Sequence, residues 1–131
     1  YPMTSIASDG PMTIFGVGAP HPRSYGTFAR VLGRYVRDRK ILSLEEAIRK
    51  MTSLPAHILS INRRGLLKEG YYADISIFDS RTIIDNATFE DPHQYATGIN
   101  TVLVNGIIVV ENGLHNGNRP GRVLRGPGYD L

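Results

Sequence analysis

The sequence of 131 residues has no cysteine and no long run of apolar residues. Without cysteine the chain forms no disulfide, has no thiolate nucleophile and offers no sulfur ligand to zinc. No stretch approaches the roughly 18 apolar residues of a membrane helix, and the first residues lack the basic and apolar regions of a signal peptide. We therefore expect no membrane segment and a cytoplasmic location.

The chain also lacks a strong excess of either charge. Lys and Arg number 15 against 12 Asp and Glu, a net charge of +3, which is too balanced to predict nucleic-acid binding. With 41% hydrophobic and 21% charged residues the composition is that of a globular protein. A chain of this length builds one core, either as a single domain or as part of a larger one.

Polar groups suited to chemistry converge near the start of the chain, in Ser8-Asp9-Gly10 and in His21-Pro22-Arg23. The run 3–8 predicts a short strand, so Asp9 would stand where a strand ends, the usual place for catalysis in parallel α/β folds. Ser-Asp-Gly is also a common turn, because Ser and Asp bond to their own backbone and Gly adopts positive φ. Local sequence leaves both interpretations open.

An amphipathic helix is predicted from Tyr25 to about Lys40, with Ser24 as its cap. Its apolar residues recur at helical spacing: Phe28, Val31, Leu32, Tyr35 and Val36. The basic residues lie away from that stripe, and we expect them to form a solvated face rather than an anion site: Arg30, Arg34, Arg37 and Lys40.

A second helix is predicted to begin at a capping box formed by Ser43 and Glu46 and to be broken by Pro55. Its buried stripe is Leu44, Ala47, Ile48, Met51 and Leu54. A short helical turn follows at 55–59. It carries His57, which we expect to be a packed or half-exposed histidine rather than a metal ligand.

After Gly65 the hydrophobic period changes towards 2, which predicts strands. We expect strand and turn at 66–70, a strand at 73–79 that buries Ile75 and Ile77 or their neighbours, and an irregular connection at 80–98.

Two further strands, 99–104 and 107–111, flank Asn105-Gly106, the signature of a type I′ hairpin. The end, 113–131, is expected to be an extended tail. The chain thus divides near residue 65 into a helical part and a small antiparallel β part.

Several stretches resemble the N-acyl-D-amino-acid deacylases (D-aminoacylases) of the amidohydrolase superfamily. They are Ser8-Asp9-Gly10, His21-Pro22-Arg23-Ser24-Tyr25-Gly26-Thr27-Phe28, Arg64-Gly65-Leu66-Leu67-Lys68-Glu69-Gly70, Phe89-Glu90-Asp91-Pro92-His93-Gln94-Tyr95, Val104-Asn105-Gly106 and Arg119-Pro120-Gly121-Arg122. The resemblance covers almost the whole chain. The Val-Asn-Gly stretch is common to the superfamily, whereas the His-Pro-Arg and Arg-Pro-Gly-Arg stretches point to the D-aminoacylase branch.

The resemblance implies an α/β fold: the C-terminal fragment of a metal-dependent (β/α)8 barrel followed by part of a small antiparallel β-sandwich. Residues 1–65 would supply the last strand, the site loop and helices, and 66–131 part of the sandwich and the tail. A whole barrel takes about 250 residues. The family's main zinc ligands, several histidines and a cysteine on earlier strands, have no counterpart here, because His21, His57, His93 and His115 form no metal-binding pair. The chain alone is therefore expected to be inactive.

The same resemblance implies roles for four residues. Asp9 would be the catalytic acid–base group, and it would also touch a weak or second metal; Arg23 would hold the α-carboxylate of an N-acyl-D-amino acid; His21 and Ser8 would contact substrate. Zinc is the implied cofactor, and the remainder of the barrel is the implied partner, with self-association if it is missing. Segment 11–20 is apolar where polar residues are expected, which indicates an altered acyl or side-chain preference.

Two other functions stay open at this stage. One is another amidohydrolase, of the hydantoinase or dihydroorotase kind, against which Arg23 in its His-Pro-Arg context argues. The other is a non-enzymatic binding module, which the missing ligands favour.

Overall fold

A computed structural model describes residues 1–129, which form three α-helices, one π-helix and one antiparallel sheet. The helices are α1 (Arg23–Arg30), the π-helix (Val31–Asp38), α2 (Leu44–Met51) and α3 (Ser53–Ile58). The strands are β1 (Ile75–Phe78), β2 (Ile99–Val104), β3 (Ile107–Glu111) and β4 (Leu114–His115).

The first predicted helix is present, but it begins earlier and changes type. Ser24 is not its cap: the helix starts at Arg23, whose backbone N–H donates to Nδ1 of His21 at 3.0 Å, so an imidazole satisfies a donor of the first turn. Beyond Arg30 the turn widens into the π-helix, where the N–H of Arg39 bonds the carbonyl of Arg34, five residues back. Amphipathic spacing over eight residues does not distinguish the two helix types.

The second predicted helix is divided in two. The Ser43 side chain accepts from the N–H of Glu46 at 3.2 Å, as predicted, whereas the carboxylate of Glu46 binds Arg49 instead of completing the capping box. α2 ends at Met51, before the predicted break. Pro55 lies inside the first turns of α3, where its ring would clash with a carbonyl four residues back in a continuous helix.

The sheet has the strand order β1-β2-β3-β4, with every neighbouring pair antiparallel. Asn105 (φ 50°) and Gly106 (φ 80°) form the predicted type I′ turn between β2 and β3. Asn112 (φ 51°) and Gly113 (φ 77°) repeat this turn before β4. The prediction of a tail from residue 113 was therefore wrong at its start.

Two predicted strands are absent from residues 1–129: neither 3–8 nor 66–70 belongs to the sheet. A strand requires a neighbour for its backbone groups, and the first segment is held by α2 instead. The N–H of Ile6 donates to the carbonyl of Lys50 at 3.0 Å, and Lys50 Nζ donates to the carbonyl of Thr4 at 2.9 Å. Segment 3–8 therefore belongs to no helix or strand.

The core lies where the helices meet the start of the long connection. Its buried residues are Ala29, Val31, Leu32, Ala47 and Ile83. Phe28, in the predicted apolar stripe, and Ile77, one of the strand residues that could have been buried, are 45% and 52% exposed. Ile83 comes from the stretch predicted to be irregular, so a segment without regular structure completes the helical core. Across residues 1–129, none of the helices is both long and apolar enough to cross a membrane.

Candidate active site

An ion pair joins the two residues that the sequence singled out most strongly. Nη2 of Arg23 lies 3.0 Å from Oδ2 of Asp9, with 43% and 86% of the side chains exposed. Asp9 directly follows segment 3–8, and Arg23 opens α1. A carboxylate that can exchange protons and a guanidinium that can bind an anion thus lie side by side and open to solvent.

A tight turn positions Asp9. Its φ of 48° is left-handed, a conformation that Asp tolerates better than most residues, and Ser8 Oγ accepts from the N–H of Gly10 at 3.3 Å. A Cβ on Gly10 would lie 2.9 Å from Cα of Ser24. The turn is therefore pressed against the first residues of α1, which keeps Asp9 close to Arg23.

His21 completes the group of predicted site residues. Its Nδ1 is occupied by the N–H of Arg23, and its ring meets the edge of Phe89 at a centroid distance of 4.9 Å. The imidazole thereby connects the start of α1 to the irregular connection. The structure brings all four predicted residues, Ser8, Asp9, His21 and Arg23, into one site.

A cleft of about 650 Å³ runs beside this site. The residues that line it include His21, Arg23, Arg30, Tyr35 and Phe89. Its walls are mainly apolar with several cationic groups, a combination suited to a small organic anion.

Three arginines of the predicted solvated face bind another segment of the chain, whereas Lys40 is exposed as predicted. Nε of Arg30 and Nε of Arg34 lie 2.9 and 3.1 Å from the two oxygens of Asp85, whose side chain is only 3% exposed. Arg37 donates to the carbonyl of Ile83 at 2.7 Å. These arginines hold the irregular connection against the helix.

A signal for this contact is present in the sequence. Gly26 and Gly33 are seven residues apart in the helical region, hence on one face. A Cβ on Gly26 would lie 2.5 Å from Cβ of Asp85, and one on Gly33 would lie 2.5 Å from the carbonyl oxygen of Ile83. Two glycines on one helix face indicate the close approach of another segment.

His93 is a residue whose part in the site the sequence analysis missed. It contacts segment 11–20 through both ring nitrogens: Nδ1 lies 3.1 Å from the amide nitrogen of Gly16 and Nε2 lies 2.9 Å from the carbonyl oxygen of Gly18. His57, by contrast, is exposed on α3, whereas a packed or half-exposed side chain was predicted.

Asp9 is the one side chain of the site that was predicted to bind a metal ion. Within residues 1–129, no three His, Asp or Glu side chains converge closely enough to hold a metal ion. Asp9 is exposed, and in this part of the chain only one of its oxygens is paired. Zinc accepts carboxylate oxygens, so Asp9 fits as a single ligand whose companions would have to come from elsewhere.

Residues 3–110 match the sequence profile of the Amidohydrolase family. The chain is 49% identical over 121 residues to a D-aminoacylase of Alcaligenes xylosoxydans xylosoxydans, covering 92% of this chain and 24% of that protein. An N-acyl-D-aspartate deacylase of the same organism is 45% identical over 125 residues, covering 95% of this chain and 24% of that protein.

Among solved structures, the fold is similar to that of an N-acyl-D-glutamate deacylase from Bordetella bronchiseptica. The TM-score is 0.85 at 43% identity, over 95% of this chain and 26% of that one. That crystal structure contains zinc and a phosphonate that mimics the tetrahedral intermediate of the reaction. The chain spans about a quarter of the length of these relatives.

Proposed function

Because this chain belongs to the amidohydrolase family, we propose that its protein hydrolyses the amide bond of N-acyl-D-amino acids to a carboxylate and a D-amino acid. The observation that supports this most directly is the 3.0 Å contact between Arg23 and Asp9. An N-acyl amino acid carries a carboxylate next to the scissile amide, so an anion-binding group beside an acid–base group matches both parts of the substrate.

Arg23 is proposed to bind the substrate's α-carboxylate. A guanidinium is planar and presents paired N–H donors that match the two oxygens of a carboxylate. Only Nη2 is engaged by Asp9, and 43% of the side chain is exposed. The residue is anchored at the first turn of α1, where its N–H is held by His21, so the guanidinium projects from a fixed backbone.

Asp9 is proposed to transfer the proton that hydrolysis requires. As base, its carboxylate accepts a proton from the attacking water while the oxygen–carbon bond forms; as acid, it then gives that proton to the departing amide nitrogen while the carbon–nitrogen bond breaks. Arg23 stabilises the ionised form of the carboxylate, which is present before the first step and again after the second. One residue therefore serves both roles.

Asp9 is also the residue proposed to contact zinc, at a weak or second site. A zinc ion, when bound, supplies Lewis-acid polarisation of the amide carbonyl. The main ligands would come from residues outside this sequence. For the same reason, the 131-residue chain by itself is proposed to be inactive.

His21 and Ser8 are proposed to shape the substrate site. His21 uses Nδ1 to fix the start of α1, which leaves Nε2 for substrate, and its contact with Phe89 sets the ring plane. Ser8 holds the turn that presents Asp9. Segment 11–20 has no charged residue and exposes Met12 and Ile14, which supports a preference for substrates with an apolar side chain or acyl group.

The wider architecture remains part of the proposal. Residues 1–65 would be the end of a (β/α)8 barrel and 66–131 part of a β-sandwich, in a cytoplasmic protein. Segment 3–8, which belongs to no strand in the described residues, is suited to be a barrel strand once neighbours are present.

The test compares the 131-residue chain with a version extended upstream to a whole barrel, each with zinc. Substrates are N-acetyl-D-methionine and N-acetyl-D-glutamate, with N-acetyl-L-methionine and dihydroorotate as controls. Hydrolysis of the D-substrates by the extended form alone is expected. Turnover of dihydroorotate in place of the D-substrates would show that the proposed reaction is wrong. Turnover by neither form would favour a binding module. Turnover by the 131-residue chain alone would refute the proposal that its metal ligands are missing.

A further inference from the structure

Segment 11–20, which follows Asp9, has little support of its own. In the described part of the chain its only internal backbone hydrogen bond runs from the N–H of Val17 to the carbonyl of Ile14, at 3.1 Å. Met12, Ile14 and Val17 are 102%, 74% and 61% exposed. Its conformation must therefore be set by residues outside the segment.

His93 binds this segment at two backbone points. The N–H of Gly16 donates to Nδ1, and Nε2 faces the carbonyl of Gly18 at 2.9 Å. An amide N–H can only donate and a carbonyl can only accept. These partners match the tautomer with its proton on Nε2, in which one ring holds both polar groups of the loop.

Two aromatic residues add to this attachment. The hydroxyl of Tyr25 lies 2.9 Å from Nδ1 of His93 and accepts from Oγ1 of Thr13 at 3.2 Å. The ring of Phe15 stacks on Tyr95 at a centroid distance of 4.9 Å. Because Tyr25 lies on α1 two residues after Arg23, the segment is tied to the same helix that carries the anion-binding group.

We propose that His93 is a positioning residue that holds segment 11–20 beside the candidate active site, so that Met12 and Phe15 form one wall of the substrate pocket. These two side chains line a cavity of about 460 Å³ together with Tyr25 and Tyr95. Gly16 (φ 80°) and Gly18 (φ 69°) are left-handed, a conformation that lets both turn toward one ring and that favours glycine. The attachment of segment 11–20 to His93 is inferred from geometry alone. The effect of that attachment on substrate binding rests on the proposed function.

The protonation state is the first test. Side-chain ¹⁵N spectra of the full chain are expected to show a pyridine-like Nδ1 and a pyrrole-like Nε2 for His93. His115, which accepts only from the N–H of Gly117 at 2.9 Å within the described residues, serves as reference in the same spectrum. If His93 shows the opposite tautomer, or an average of the two tautomers, it does not hold segment 11–20 in the way proposed.

Amide hydrogen exchange at Gly16 is the second test, in His93→Asn, His93→Gln and His93→Ala, with His115→Ala as control. Asn keeps an acceptor near Nδ1, whereas Gln and Ala do not. Exchange is expected to rise about tenfold in the Gln and Ala variants and little in Asn or the control, with the same denaturation midpoint throughout. Equal exchange in all four variants would refute the role of His93.

The effect on substrate is tested in the upstream-extended protein. His93→Ala is expected to raise KM for N-acetyl-D-methionine about tenfold with a smaller change in kcat, because substrate binding and not the chemical step is disturbed. If His93→Ala exchanges faster at Gly16 but has an unchanged KM, the proposal that segment 11–20 forms a wall of the substrate pocket is wrong. An inactive wild-type protein would overturn the proposed function, while exchange at Gly16 would still decide whether His93 holds the segment.

Discussion

Gly26 and Asp85 approach so closely that a Cβ on Gly26 would lie 2.5 Å from Cβ of Asp85. This contact seats the irregular connection on α1, and the two flanking arginines, Arg30 and Arg34, close over it. The connection also carries Phe89 and His93, which contact His21 and segment 11–20. The geometry of the candidate active site therefore depends on a glycine that lies outside it.

Gly26→Ala is expected to lower the free energy of unfolding by about 2 kcal/mol, since the added methyl group overlaps a buried side chain that cannot move away. Chemical denaturation measures the change. Gly121→Ala is the matched control, because nothing lies within 4 Å of its Cβ position. Equal stability of the two variants would contradict the close packing.

Asp85→Asn is expected to destabilise the protein by about 2 kcal/mol or more, because it leaves Arg30 and Arg34 without their counter-charge at a buried position. Denaturant titration measures this. Asp38→Asn, which removes an exposed pair with the neighbouring Arg37, should change stability little. If both substitutions have the same effect, Asp85 does not hold the connection.

Asp9→Asn in the upstream-extended protein is expected to lower kcat by about 10²- to 10⁴-fold, because the amide cannot carry the proton. Folding should be preserved, since 86% of the Asp9 side chain is exposed. Steady-state kinetics alongside circular dichroism separate the two effects. Glu69→Gln, an exposed carboxylate that does not line the cleft, is the control, and wild-type turnover in Asp9→Asn would refute the role of Asp9.

The stability of α2 is expected to depend on pH, because it depends on the ionisation of Glu46. A hydrogen bond from Arg49 lowers the pKa of this carboxyl to about 2 from an ordinary value of 4.5. The pKa of Glu46 is lower in the folded protein than in the unfolded one. The contribution of its ionised carboxylate to folding stability is therefore complete above pH 4.5 and is lost as the pH falls towards 2. NMR titration of Glu46 checks the value; in Arg49→Gln the midpoint should return towards 4.5, and an unchanged midpoint would contradict the assignment.

The 131-residue chain is expected to self-associate in solution. Large apolar side chains are exposed well beyond what a small globular protein usually shows, among them Leu67 (82%) and Val123 (86%). β1 also leaves one edge unpaired within the described sheet. Light scattering over a concentration series measures the mass, and a monomer throughout would contradict this expectation.

Local features of the sequence were sufficient for much of the secondary structure. Asn105-Gly106 predicted its hairpin because the turn needs two positive φ values, and Ser43 predicted its helix start because its hydroxyl reaches an N–H three residues on. Each depends on residues only a few positions apart, so the necessary information lies within the pattern itself. The second hairpin, at Asn112-Gly113, carried the same signal and was overlooked.

The candidate site was predicted as a set of residues but not as an arrangement. Ser8, Asp9, His21 and Arg23 lie within 16 positions of each other, so their proximity follows from one loop. The roles of Asp85 and His93 depend on contacts 51 to 77 residues apart along the chain. No periodicity or turn signal specifies such a pair.

The sequence by itself determined where helices and hairpins form, because backbone preference and hydrophobic spacing act over a few residues. Only the tertiary structure decided that the basic face of the first helix binds a buried carboxylate, that segment 3–8 is held by α2, and that a distant imidazole holds the loop after Asp9. These outcomes depend on which surfaces pack together. Packing is settled by the shape and charge of the whole chain, not by any one stretch of it.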